Sequence, residues 1–172
     1  MTTYLPLILL LVLFPAAMTY AAATDLFSMT ISNKLCLGLV MGFVVTAAIL
    51  GLTWPQIGWH LAAGAIVLLV SFGMFAAGWI GGGDAKLVSA TALWFGFGEL
   101  LPYLAVAGLA GGALTFMILA YRRYPIPALV ERWPWARRLH AATEGVPYGI
   151  ALSFSALTIL PETGIWRAAI GV

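Results

Sequence analysis

Residues 87–121, LVSATALWFGFGELLPYLAVAGLAGGALTFMILAY, contain a single charged residue, Glu99. As one straight helix the run would measure about 50 Å at about 1.5 Å per residue. The hydrocarbon core of a bilayer is only about 30 Å thick. The segment therefore has to double back. Pro102 is the natural hinge, because proline lacks a backbone donor and clashes with the preceding helical turn. Two spans follow, at about 87–101 and 103–121.

Working outward, apolar runs separated by turn residues predict further spans at about 5–23, with a kink at Pro15, and at about 35–52, 57–80 and 146–160. Thr53, Trp54 and Pro55 end the second, where an aromatic residue and a helix breaker suit the interface. The predicted fold is all-α: one polytopic domain over 1–172, a bundle of about six transmembrane helices with an Arg-rich loop at about 122–145. Composition agrees. The chain is 63% hydrophobic and 8% charged, with a mean hydropathy of +1.03, whereas soluble domains are roughly half apolar and a quarter charged. The first apolar run resembles a secretory signal, with Ala21–Ala23 as a small-residue site. No Lys or Arg precedes it and it is long enough to span, so it reads as an uncleaved helix.

Seven of the eight basic residues, namely Lys34, Lys86, Arg122, Arg123, Arg132, Arg137 and Arg138, follow the first, third and fifth spans. Short cytoplasmic loops carry such an excess, so these loops are expected in the cytoplasm and the N-terminus on the other side. The net charge of +2 thus reports orientation and lipid contact; no nucleic-acid partner is expected. The lone cysteine, Cys36, supports neither a disulfide framework nor a metal knuckle. No metal or cofactor is expected. Gly38 and Gly42, and Gly108 and Gly112, are small residues four apart and read as helix-packing positions within the bundle.

The only aspartates are Asp25 and Asp84. Each stands at the end of an apolar run, and an acid beside the hydrocarbon is a functional-site hypothesis by default. One helical hairpin separates them, so both are expected at the cytoplasmic boundary. Two carboxylates about 3 Å apart share a proton. The ionised one can then take a proton from water while the other donates to a carbonyl oxygen, which is aspartic-protease chemistry. Gly81, Gly82 and Gly83 remove three side chains just before Asp84 and would admit a peptide backbone, or form only a flexible turn. The run lacks the GK[ST] of a P-loop and the third glycine of a dinucleotide fingerprint.

Gly81, Gly83, Asp84, Lys86 and Leu87 match the GxGDxKL signature of the type IV prepilin peptidases, membrane aspartic proteases of the GxGD type. Asp25 followed by Ile31, Ser32, Asn33 and Leu35 resembles the family's first motif, with Ser32 in place of its usual proline and no basic residue in 26–30. Val146, Pro147, Tyr148, Gly149, Ile150 and Ala151 resemble its final-helix opening. The resemblance implies removal of a short basic leader from a prepilin at the cytoplasmic face of the bacterial inner membrane, with Asp25 and Asp84 as catalytic acids. It implies the prepilin, with its leader and apolar helix, as substrate and the pilus assembly machinery as a possible partner. Larger relatives carry a cysteine-bearing N-terminal domain linked to methylation. Without it, the chain resembles the small branch associated with Flp or Tad pili, and methyltransferase activity is not expected.

Other residues leave alternatives open. Lys86 either pairs with an aspartate or anchors its span at the headgroups; Asn33 either bonds near Asp25 or ends the polar turn. Both are candidate substrate-binding residues alongside the glycines. Glu99 reads as a solvated boundary acid, His60 as a histidine without ligand partners, and His140 as exposed. The Arg- and Trp-bearing loop suits anionic headgroups. Pro127, Ala128 and Leu129 spell the PAL of presenilin-type proteases but fall in a charged loop. Two readings from other classes compete: a small proton- or ion-coupled transporter, and a non-catalytic pilus-assembly subunit.

Overall fold

A computed structural model describes residues 4–171. The two extremes of the 1–172 domain, residues 1–3 and 172, lie outside the described residues. The chain forms α1 (Tyr4–Ser28), α2 (Asn33–Leu50), α3 (Trp54–Ala76), α4 (Gly82–Arg122), α5 (Ala128–Glu131), α6 (Pro134–His140) and α7 (Tyr148–Ile159), then a single 3₁₀ turn (Leu160–Glu162) and α8 (Gly164–Ile170). No strand occurs among the described residues. The protein is an all-α polytopic membrane protein. Four helices, α1 to α4, are long and apolar enough to cross a bilayer, and the large side chains on their outer surfaces, such as Leu69, Phe72, Leu109 and Phe116, are exposed. The last of the six predicted spans is the twelve-residue α7, which is shorter than the about 20 residues of an ordinary crossing.

The predicted doubling-back of the fourth apolar run is present, but not at Pro102. Gly96 has φ 57° and ψ −165°, a conformation open essentially to glycine alone, and it divides α4 into arms of residues 82–95 and 97–122. Pro102 stays inside the second arm. The reversal is evident in the packing: Asp84 and Gly111 line one cavity, although a straight helix would set them about 40 Å apart. At the turn, Phe95 stacks edge-on against Tyr103, their centroids 4.9 Å apart. Ending a helix frees backbone carbonyls. His60 Nδ1–H donates to one of them, Leu93 O, at 2.7 Å, which gives His60 a structural partner.

Other boundaries also move. Thr53, Trp54 and Pro55 open α3 instead of closing α2: the Thr53 N–H donates to Gln56 Oε1 at 2.8 Å, and Pro55 occupies the first turn, where its missing donor costs nothing. α2 ends at Gly51 in the left-handed region, φ 65°. α3 stops at Ala76, short of the predicted 80, and Gly78 turns the chain at φ 75°.

The core is pinned by Trp94 on α4. Its Nε1–H donates to Leu39 O on α2 at 3.0 Å; its ring lies 4.8 Å from Phe14 of α1 and 6.2 Å from Phe43 of α2. Gly42 makes room for it, since a Cβ there would stand 3.2 Å from the indole. Gly42 is therefore a packing position as expected. Gly38, Gly108 and Gly112 are not: a Cβ at any of them would meet nothing within 4 Å. On the second arm of α4 it is Gly111 that packs, against the Tyr148 ring at 3.0 Å.

Candidate active site

Asp25 lies inside α1 and not in the polar stretch after it. Thr24 Oγ1 donates to Tyr20 O at 3.0 Å and Ser28 Oγ to Thr24 O at 2.6 Å, so residues that look like a loop close their hydrogen bonds locally and extend the helix by a turn. Met29 then leaves it with φ 53°, and its N–H donates to Asp25 O at 2.8 Å. Ser32, which stands where the motif usually has proline, caps α2 by accepting from Leu35 N at 3.2 Å. Asp84 is in the first turn of α4, capped by Gly81.

These two helix ends meet. Asp25, Met29, Thr30, Ile31, Gly81, Gly82, Gly83 and Asp84 line one cavity of about 240 Å³. At about 30 Å³ per water, it has room for a water and part of a peptide. Asp25 is buried, 6% exposed, and its Oδ2 accepts from the Gly149 N–H of α7 at 2.7 Å. That bond crosses 124 positions of chain and fixes the carboxyl's direction.

The three glycines before Asp84 also serve the fold. A Cβ on Gly81 would stand 3.0 Å from Asp84 Oδ2, one on Gly82 would stand 3.1 Å from the Phe75 ring, and one on Gly83 would stand 3.2 Å from Ile31 Cβ. They let α4 begin tight against α3 and the Ile31 segment. Lys86 pairs with neither aspartate: its Nζ donates to Asn33 Oδ1 at 2.9 Å, which ties α4 to the start of α2, and Asn33 ends the polar turn as the first residue of that helix. Neither residue lines the cavity between the acids.

The Arg-rich segment is folded. Arg122 holds it from within, its Nε donating to Leu139 O at 2.8 Å and its Nη2 to Glu144 O at 2.9 Å. Arg138 Nη2 donates to Phe27 O at 2.8 Å, and Trp135 stacks edge-on against Phe27. The segment thus caps the end of α1 two residues beyond Asp25. For this loop the sequence suggests headgroup contact, with a docking surface for the leader as the alternative, and it assigns no site role to Gly149, Ile31 or Arg138. Gly149 was visible only as part of a motif on the last helix; its contact with Asp25 is long-range.

A model of the type IV leader peptidase family matches residues 12–116. The chain belongs to the type IV leader peptidase family. The match contains both aspartates and stops before α7. No curated protein and no solved structure matches the chain. This leader peptidase is thus a protease of the membrane, and its two aspartates sit at adjoining helix ends.

Proposed function

We propose that this leader peptidase is an aspartic endopeptidase that cleaves the short basic leader from a Flp-type prepilin at the cytoplasmic face of the bacterial inner membrane. The observation that carries the reading is the cavity shared by Asp25 and Asp84. One carboxylate takes a proton from a water as the water oxygen bonds to the peptide carbonyl carbon, and the protonated partner donates to the carbonyl oxygen. Collapse of the tetrahedral intermediate breaks the C–N bond, and a proton passes to the leaving amine. Gly149 holds Asp25 in position for this exchange.

The basic residues support the orientation. Lys86 and Arg138 lie at the same end of the bundle as the two acids, through their bonds to Asn33 and Phe27. The test is co-expression with a Flp-type prepilin and mass spectrometry of the product. The wild-type chain should release a leader and leave a shortened pilin with a new N-terminus. Asp25→Asn and Asp84→Asn should each lower processing by about 10²-fold or more. Normal processing by either variant would refute the assignment and favour a transporter or a silent assembly subunit.

A further inference from the structure

A second, larger cavity of about 590 Å³ shares only Asp84 with the first. It runs between α3, the second arm of α4 and α7, walled by Val67 and Met74 on one side and by Leu104, Gly108 and Gly112 on the other. From Leu100 to Gly112 this wall is about 18 Å long, or about three helical turns.

We propose that this groove receives the apolar membrane-spanning helix of the substrate, while the scissile peptide unwinds at its Asp84 end into the cavity between the two acids. The proposal rests on the peptidase reading above and adds the place where the substrate's helix is held. Three observations favour a helix over a lipid chain. Gly108 and Gly112 are four apart on one face, and nothing of the protein lies within 4 Å of a Cβ at either; small residues so spaced let a second helix approach with its backbone. Gly111, which lines the same cavity, is by contrast already packed, since a Cβ there would stand 3.0 Å from the Tyr148 ring. The groove also ends on an ionisable group, where an acyl chain would leave the carboxyl without a partner but an unwinding helix end presents free backbone N–H and C=O groups.

Two measurements test it. In the Asp84→Asn protein, which retains uncleaved precursor, a photo-crosslinking residue at Leu104 should capture a co-expressed Flp-type prepilin at least about tenfold more than one at Leu109, which is 77% exposed on the outer surface. Equal capture at the two positions, or none at Leu104, overturns the proposal. Second, the Gly108→Leu/Gly112→Leu double variant fills the groove without an internal clash. It should process full-length prepilin about tenfold more slowly, yet cleave at the wild-type rate a synthetic peptide that ends a few residues past the cut. If it handles both substrates like wild type, the groove is lipid-filled and the proposal fails; if both slow equally, the substitutions act through the acids and it also fails. If the wild type cleaves neither substrate, the peptidase reading is what has failed, and capture at Leu104 decides the groove independently.

Discussion

Gly149 concentrates the chemistry of the site in one missing side chain. A Cβ there would stand 2.7 Å from Asp25 Oδ2 and 2.9 Å from Ile31 Cδ1, so the close approach that lets its N–H hold the acid requires glycine. Gly149→Ala should therefore shift Asp25 and reduce cleavage by about 100-fold, the scale expected when a reacting group is misplaced by about 1 Å. Alanine is the better helix former by about 1 kcal/mol, so the thermal midpoint should change little; activity and stability measured on one preparation separate the two effects. Gly145→Ala, at an open position, is the control and should cleave normally. The acids themselves were legible in the sequence because ionisable groups are rare in apolar runs. The residue that orients one of them was not, because a glycine announces neither charge nor reach.

At the scale of the element, α4 shows how a length argument can be right while its hinge is misplaced. The run is too long for one crossing whichever residue bends it, and proline is the conspicuous breaker. Yet proline is carried inside a helix when its surroundings hold the backbone, whereas the φ and ψ of Gly96 are closed to other residues. Gly96→Ala should cost about 1–3 kcal/mol, with added pressure from His60 Cε1 at 3.0 Å. Pro102→Ala should leave stability at or above that of the wild type. Thermal unfolding of the detergent-purified variants checks both, and a Gly96→Ala protein as stable as wild type would place the reversal elsewhere. α1 errs in the opposite sense: Thr24, Asp25 and Ser28 look like the end of a span, but hydroxyls bonding back to the preceding turn carry the helix on to Ser28.

For the whole molecule, the orientation proposed from the basic residues can be measured directly. With the single buried cysteine removed as Cys36→Ala, new cysteines at the exposed positions Thr53 and Arg132 should behave oppositely towards a membrane-impermeant maleimide. Thr53→Cys should label in intact spheroplasts and Arg132→Cys only after lysis; the reverse pattern would place both acids on the outer side. Hydrophobic content, the spacing of apolar runs and the scarcity of charge were enough to specify a helical membrane protein and to single out Asp25 and Asp84, because the bilayer imposes burial and backbone hydrogen bonding on every segment separately. The meeting of those acids, the Gly149 bond across 124 positions, the Lys86–Asn33 tie and the open face at Gly108 and Gly112 depend on which helices pack together. No single segment encodes that choice: it is set by the fit of Trp94, Gly42, Gly96 and Gly111 against partners on other helices, and it exists only once the bundle has closed.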